Sequence, residues 1–242
     1  MKSVALFSVK GGVGKSTLAV NLAHAAATQG GRRTLLWDLD TQGAATWLLQ
    51  REQATGARAR DAFADDRLNG LILNTAFPNL HILPADRSLR RLEGDLAQDD
   101  KAKVIRRKLK AFTEGYDRIL IDCPPGLSEL ADRVFRAADL IIVPAIPSPL
   151  SGRAVEQLRD ELLRNHKGLP PLLPVWNMAD LRRRVHREAI ATSDWPVVPY
   201  SAAIEQMSVH RAPVATFQPS GPPARAFAAL WALAEQRLRD SP

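Results

Sequence analysis

The sequence has little cysteine and no long apolar run, and both absences exclude classes of protein. Its single cysteine, Cys123, excludes a disulfide framework and any cysteine-based metal or iron–sulfur site built within one chain. No apolar run approaches the roughly 18 residues of a membrane-spanning helix. No hydrophobic leader with a small-residue cleavage site precedes the first apolar run. We therefore expect a cytoplasmic protein.

Charge is unevenly balanced, because Lys and Arg number 33 against 26 Asp and Glu, which gives a formal net charge of +7. Such an excess favours a polyanionic partner, either nucleic acid or an acidic membrane surface, and charge alone does not choose between them. With 242 residues, of which 45% are hydrophobic, the chain can bury one sizeable core. We expect a single domain over residues 1–242.

Apolar runs alternate with segments of helical spacing along most of the chain. Several runs are apolar throughout, which predicts a doubly wound α/β fold whose mostly parallel sheet is covered on both faces. Ligands of such sheets bind at the carboxyl ends of the strands. The predicted strands are residues 4–9, 34–39, 80–83, 118–121, 140–143, 172–176 and 197–198. The predicted helices are residues 16–29, 44–51, 88–96, 101–112, 127–137, 150–165, 182–191 and 224–239.

Residues 10–17, KGGVGKST, lie between the first predicted strand and the first predicted helix. Glycines let backbone N–H groups turn inward around phosphate oxygens, and the helix N-terminus adds the positive end of its dipole. In this context Lys15 would reach the terminal phosphates of a nucleotide, and the Ser16 hydroxyl would bind Mg²⁺. Val9 takes the place of the first glycine of the general phosphate-loop pattern.

Three motifs in order resemble the deviant Walker A ATPases of the ParA/MinD family. These are KGGVGKST itself, LLWDLDTQGAAT at residues 35–46 and YDRILIDCPPG at residues 116–126. IIVPAIPSPLS at 141–151 and NMADLRRR at 177–184 also sit where that family has related segments. Thr41 stands where a proline is common. The resemblance spans nearly the whole chain and implies ATP and Mg²⁺ as cofactors.

The resemblance also implies roles for individual residues around the nucleotide. Lys10 would cross to the nucleotide of a partner subunit, so that ATP binding and dimerisation are one event, as with an arginine finger in trans. Lys15 and Asp40 complete the implied catalytic set, with Asp40 orienting the attacking water and Asp38 supporting it. The implied nucleotide contacts are Lys10, Gly11, Gly12, Val13, Gly14, Lys15, Ser16 and Thr17.

Further implied contacts lie at the ends of later strands. Asp122 follows an apolar run and would hold Mg²⁺ through water, beside Ser16 and with Asp40 as a further candidate ligand. Asn177 and Pro199 would contact the base, because an Asn amide can both donate to and accept from an adenine edge. The turns at 42–43 and 124–126 would act as switches that sense the terminal phosphate.

The purpose of the ATPase is a separate question, and the basic residues favour DNA. The resemblance implies an ATP-dependent homodimer that binds DNA without sequence preference, associates with the nucleoid and is reset by a ParB-like or adaptor protein that stimulates hydrolysis. It would position or segregate a plasmid, a chromosome locus or a protein cargo. The expected DNA contacts are Arg182, Arg183, Arg184, Arg187 and Arg211. An arginine-rich helix can also be only a solvated face.

Two other functions stay open. One is a MinD-like membrane switch, which needs a C-terminal amphipathic helix that inserts into lipid. Positions 227, 230, 231, 234 and 238 of the last helix instead form a stripe that predicts packing on the sheet. The other is an enzyme of the same superfamily. An electron-transfer ATPase needs cluster cysteines, which are missing here, and a small-molecule synthetase usually lacks the earlier lysine and the D-x-D-x-Q-G segment, which are present. The chain has no segment for a helix-turn-helix before its first strand, which argues against an operator-reading partition ATPase.

Overall fold

The computed structural model describes residues 1–50, 58–63, 70–90, 104–165 and 168–240. The strands are β1 (Lys2–Leu6), β2 (Thr34–Asp38), β3 (Leu73–Asn74), β4 (Leu80–Leu83), β5 (Arg118–Asp122), β6 (Leu140–Ala145), β7 (Leu172–Ala179) and β8 (Val197–Pro199). The α-helices are α1 (Lys15–Thr28), α2 (Ala44–Leu49), α3 (Val104–Ala111), α4 (Glu129–Phe135), α5 (Pro149–Asn165), α6 (Arg184–Ile190), α7 (Ala202–His210), α8 (Val214–Phe217) and α9 (Pro222–Asp240). A 3₁₀ helix covers Ala59–Phe63.

The strands form one sheet in the order β3-β4-β2-β5-β1-β6-β7-β8. Every pairing in it is parallel except that of β3 with β4. This confirms the predicted α/β class with a mostly parallel sheet. The central strand β1 lies between β5 and β6, so the loop that follows β1 leaves the middle of the carboxyl edge. That edge is where the predicted ligand site belongs.

Alternate residues of the strands enter two separate cores, one on each face of the sheet. Val4 and Leu6 pack with α1 and α9 on one face, whereas Ala5 and Phe7 pack on the other, where the Phe135 ring centroid lies 4.7 Å from that of Phe7. Both sets are fully buried. Burial on both faces is the physical reason why these strands are apolar throughout.

The last helix, α9, confirms the predicted core stripe. Its five stripe residues are at most 3% exposed and belong to the core that contains α1. These residues are Phe227, Leu230, Trp231, Ala234 and Leu238. Among the described residues no helix is long and apolar enough to span a membrane.

Other predicted elements need correction at their ends. The predicted helix 182–191 begins only at Arg184, because Asp180 accepts from the Arg182 and Arg183 backbone N–H groups in a turn that precedes it. Helices α7 and α8 and strand β3 were not predicted from the sequence. The predicted helix 88–96 and the start of 101–112 fall partly on residues 91–103, outside the described residues.

Candidate functional site

The loop between β1 and α1 forms a cradle of backbone. Gly12 and Gly14 have φ of 77° and 81°, a region that residues with a side chain rarely adopt. A Cβ atom at Gly14 would also lie 2.5 Å from the Asn177 amide nitrogen. Gly14 caps α1 without a side-chain hydrogen bond, and the first turn of the helix holds no acidic residue. The helix therefore presents its N-terminal N–H groups to an anion.

Lys15, the first residue of α1, is only 7% exposed and points into an acidic cluster. Its Nζ atom lies 3.1 Å from Asp122 Oδ1 and 3.5 Å from Asp40 Oδ2. Burial by itself lowers the pKa of Lys15, but the two carboxylates outweigh burial and the pKa is raised. Lys15 is therefore a firmly charged ammonium at the mouth of the cradle.

Asp122 ends β5 and is fully buried. One carboxylate oxygen accepts from Lys15, and the other, Oδ2, has no hydrogen-bond partner in the described part of the chain. Burial raises the pKa of Asp122, against the opposing effects of Lys15 and the Ser16 hydroxyl. A buried carboxylate oxygen without a partner, with a hydroxyl close by, provides the hard oxygen ligands that Mg²⁺ prefers. The residues present therefore fit the expected ion.

Asp38 and Asp40, two residues apart, have different surroundings. Asp38 is fully buried and accepts from the Asp40 N–H at 3.0 Å and from the Thr46 N–H and hydroxyl at 2.8 and 2.7 Å. Burial, together with the charge of Asp122, raises the pKa of Asp38 to about 7. Asp40 instead reaches Lys15, and its Oδ1 accepts from the Gln42 N–H. Asp38 therefore fixes the turn, while Asp40 faces the cradle.

Thr46 is a residue of the candidate site that sequence reasoning did not single out. Its hydroxyl donates to Asp38 and accepts from the Ala85 N–H at 2.8 Å, which joins α2 to the end of β4. The only signal in the sequence is that Thr46 closes the LLWDLDTQGAAT motif. The other expected switch is also connected to the cradle, since the Gly126 N–H donates to the Ser8 carbonyl at 3.0 Å.

Asn177 lies against the cradle, and Pro199 ends the neighbouring edge strand. The Asn177 amide nitrogen donates to the Val13 carbonyl at 2.7 Å, and the residue is only 3% exposed. In this structure Asn177 therefore supports the loop, and a contact to the base stays a prediction. Pro199 pairs with Ala179 in β8 beyond a register shift, close to Met178, whose φ is 57°.

Lys10 lies on the exposed side of the loop, unlike Lys15. The Ser8 hydroxyl donates to its carbonyl at 2.9 Å, which fixes the backbone and leaves the side chain in solvent. An exposed lysine beside the cradle is the placement that a contact to a second subunit requires. The contact itself stays a prediction.

The expected DNA contacts after β7 are exposed, but most of them have partners within the same segment. Arg182 makes two hydrogen bonds to Asp180, at 2.8 and 3.0 Å, and Arg184 donates to Glu188 at 2.6 Å. Arg187 donates to the carbonyls of Leu181 and Arg182. Of the four arginines in this segment, only Arg183 has a guanidinium that forms no hydrogen bond with the described residues.

Arg211 belongs to a different arrangement from the other four arginines. Its guanidinium donates to the Trp47 carbonyl at 2.8 and 2.9 Å and to the Gln50 carbonyl, and it lies 5.0 Å over the Trp47 ring. It thereby satisfies carbonyls at the C-terminal end of α2. A structural reason for this arginine is thus visible, and its DNA contact stays a prediction.

The comparisons with known proteins point in one direction. Residues 1–171 match a family model described as an AAA domain. The chain is 38% identical over 146 residues to the sporulation initiation inhibitor protein Soj of Bacillus subtilis, a match that covers 59% of this chain and only 57% of that protein. It is 31% identical over 246 residues to the chromosome-partitioning ATPase Soj of Thermus thermophilus, a match that covers 95% and 94% of the two chains.

A solved structure extends the similarity to almost the whole chain. The septum site-determining protein MinD of Pyrococcus horikoshii, complexed with Mg-ADP, has a TM-score of 0.79 and 25% sequence identity. The match covers 97% of this chain and 96% of that one.

Proposed function

Because the chain belongs to the ParA/MinD family of P-loop ATPases, we propose that it is an ATP-dependent dimerising switch that binds DNA without sequence preference. In this proposal residues 1–242 form one domain that segregates or positions a plasmid, a chromosome locus or a protein cargo. Hydrolysis of ATP, stimulated by a ParB-like or adaptor protein, resets the switch. The protein would then associate with the nucleoid.

The observation that carries the proposal is the placement of Lys15 in the cradle, between Asp122 and Asp40. Binding of a nucleotide would exchange these carboxylates for phosphate oxygens as partners of the ammonium. The backbone of residues 11–14 and 17 would donate to the same phosphates. Mg²⁺, held by Ser16 and through water by Asp122, would offset the negative charge of the phosphates.

Asp40 is the group that we assign to the attacking water. Its carboxylate already lies at the mouth of the cradle, with one oxygen held by the Gln42 N–H. Once Lys15 has turned to the phosphates, the other oxygen can accept from a water molecule. Asp38 and Thr46 would keep the turn in place, because they bond the Asp40 backbone and the first turn of α2.

Lys10 would supply the charge that makes dimerisation depend on ATP. Its side chain lies in solvent beside the cradle, and a second protomer facing this edge would bring a nucleotide within its reach. A cation delivered in trans stabilises the charge that develops on the transferred phosphoryl group.

DNA binding is proposed for the exposed segment of residues 182–187 after β7. Its four arginines are Arg182, Arg183, Arg184 and Arg187, and two of them are offset by Asp180 and Glu188. A dimer presents two copies of the segment, so phosphate contacts would become strong enough only in the ATP state. Such contacts carry no base readout, which is the reason to expect binding without sequence preference.

A titration of random-sequence duplex tests the proposal directly. Fluorescence anisotropy is measured at two salt concentrations with ATP, with ADP and without nucleotide, with Mg²⁺ throughout. We expect the protein to bind duplex in the sample with ATP and not in the other two, and the affinity to fall steeply as the salt concentration increases. Vesicles with anionic headgroups, sedimented with the same protein, provide the control for a membrane surface.

Two outcomes would contradict the proposal. Sedimentation with vesicles and no duplex binding in any nucleotide state would indicate a membrane switch instead. Equal duplex affinity in all three nucleotide states would remove ATP from the control of DNA binding.

A further inference from the structure

A second group of arginines lies at the other side of the sheet. Arg58, Arg60 and Arg87 line an open cavity of about 490 Å³, together with Asp86 and Ser88. We call these five residues and the space between them the arginine cavity. None of the described residues that line it is apolar.

Backbone hydrogen bonds build the arginine cavity. The Asp86 carboxylate accepts from the Ala59 N–H at 2.7 Å and from the Ser88 N–H at 2.6 Å. The Ser88 hydroxyl accepts from the Arg60 N–H at 3.0 Å. The 3₁₀ helix is therefore fastened to the end of β4, and the carboxylate of the cavity is occupied by backbone donors.

The arginine side chains themselves are only weakly paired. The side chain of Arg87 forms no hydrogen bond or ion pair within the described residues, and the same holds for the side chain of Arg90, one turn further along the chain. The Arg60 Nε atom lies 3.9 Å from Asp61 Oδ1. The charge of Arg58 contributes to lowering the pKa of Asp86. Every basic side chain of the group is an arginine, whose planar fork matches a phosphate better than a lysine does.

The arginine cavity lies near the turn after β2 and at the same edge of the sheet as residues 182–187. The N–H of Ala85, adjacent to Asp86, donates to the hydroxyl of Thr46 in α2, which in turn donates to Asp38. Arg87 follows the carboxyl end of β4 and residues 182–187 follow that of β7, while Arg58 and Arg60 lie at the start of the 3₁₀ helix that is fastened to the end of β4. Five strand spacings separate these strands, roughly 24 Å. The two groups therefore flank the nucleotide site at one edge of the sheet.

We infer that the arginine cavity is a second phosphate-binding surface, for the backbone of the same DNA duplex that residues 182–187 contact. The inference rests on the proposed function, because it takes DNA binding as given and adds a contact region. Two separated groups of arginines would fix the orientation of the duplex, which a single segment cannot do.

Arg87→Glu tests the arginine cavity, because the wild-type side chain has no partner among the described residues to lose. The matched control is Arg164→Glu near the end of α5, another exposed arginine whose side chain forms no hydrogen bond or ion pair with the described residues. Helix α5 starts after β6 and runs back to the start of β7, so Arg164 lies toward the opposite edge. Both variants change the net charge equally.

Duplex anisotropy in ATP and Mg²⁺ is the readout, with basal ATP hydrolysis as the check that each variant is folded. We expect Arg87→Glu to weaken binding on the order of 10-fold and to reduce the slope of log K against log salt by roughly 1 for each phosphate that is no longer neutralised. Arg164→Glu should bind as the wild type does. A neutral pair, Arg58→Gln with Arg87→Gln, should show the same direction if the charge reversal disturbs the loop.

The outcomes separate the arginine cavity from the proposed function. If the wild type binds the duplex and Arg87→Glu binds like Arg164→Glu, the inference is wrong and the function stands. If the wild type binds no duplex in any nucleotide state, the proposed function fails and the inference fails with it. A third outcome is that Arg87→Glu keeps its duplex affinity but its ATP hydrolysis is no longer stimulated by the partner protein. The arginine cavity would then bind an acidic segment of that protein, and the inference would be overturned.

Discussion

The loop after β1 and the segment after β7 lie at the same edge of one sheet, yet they hold their charges in opposite ways. In the loop, Lys15 is 7% exposed and its charge depends on Asp122 and Asp40. In the segment, the side chain of Arg182 is 82% exposed and its charge is offset by Asp180 at the surface. Buried charges are expensive without partners, whereas exposed pairs contribute little.

This difference in burial shows what kind of ligand each region is suited to bind. A buried cation with two carboxylates is poised for a partner that replaces them, so its ligand must enter a fixed geometry. An exposed arginine with a surface carboxylate can change partners at small energetic cost. We therefore expect substitutions in the loop to have large effects and substitutions in the segment to have graded effects.

The largest effect is expected for Lys15→Ala, which should weaken nucleotide binding by about 10²-fold or more. The substitution removes two or three charge-assisted hydrogen bonds to phosphate, at about 1.5–3 kcal/mol each. Calorimetric titration with a slowly hydrolysed ATP analogue measures the change in affinity. Binding within a few-fold of the wild type would contradict the role of Lys15.

Lys10→Ala is the matched substitution on the exposed side of the same loop. It should retain nucleotide binding and lose the ATP-dependent dimer, as followed by sedimentation velocity with the same analogue. A Lys10→Ala protein that dimerises normally would show that the side chain does not act in trans.

Asp40→Ala should trap the protein as an ATP-bound dimer. Phosphate and Mg²⁺ contacts remain, but the group that orients the water is removed, so single-turnover hydrolysis should slow by roughly 10²-fold. Asp40→Asn keeps an oxygen for the Gln42 N–H, so it separates the effect of the charge from that of the turn. Hydrolysis at the wild-type rate in Asp40→Ala would refute the assignment.

A smaller effect is expected in the exposed segment, where Arg183→Glu should weaken binding to any duplex about 10-fold. The control is the double variant Arg184→Glu with Glu188→Arg. It exchanges the two residues of an ion pair that lie one helical turn apart, so the net charge stays the same. Because the exchange keeps the number of arginines in α6 unchanged, the exchanged protein should bind duplex more tightly than Arg183→Glu does. Equal weakening in both proteins, measured by anisotropy in ATP, would assign the effect to α6 as a whole.

Sequence reasoning predicted the place of the loop between a buried strand and a helix, because the conformation of the loop depends on local sequence. Gly14 is required both by its φ and by the closeness of Asn177, and Lys15 follows it at the start of a helix. The same holds for the stripe of α9, since helical spacing places Trp231 and its neighbours on one face.

Contacts between distant parts of the chain were not predictable in the same way. The bond from Asn177 to Val13 joins residues 164 positions apart, and no local pattern indicates it. The partners of Arg182 and Arg184 depend on where the turn at Asp180 ends and α6 begins. Helices α7 and α8 span only nine and four residues, which is too short for a helical period to be recognised.

The smallest effect is expected for Arg211. The sequence predicts a DNA contact for this residue, and in the structure its guanidinium contacts the C-terminal end of α2. Arg211→Ala should cost about 1–2 kcal/mol of stability, since carbonyls at the end of a short helix lose a charged donor and the Trp47 ring loses its cation. For a chain of this size Tm should fall by roughly 2–8 °C in a thermal melt. Arg183→Ala, which removes no hydrogen bond or ion pair to the described residues, is the matched control and should change stability by less than about 0.5 kcal/mol. Duplex anisotropy below the Tm of Arg211→Ala tests the predicted DNA contact separately from this structural role, in which Trp47 and Gln50 hold the guanidinium. An unchanged Tm together with abolished DNA binding would return Arg211 to the DNA surface.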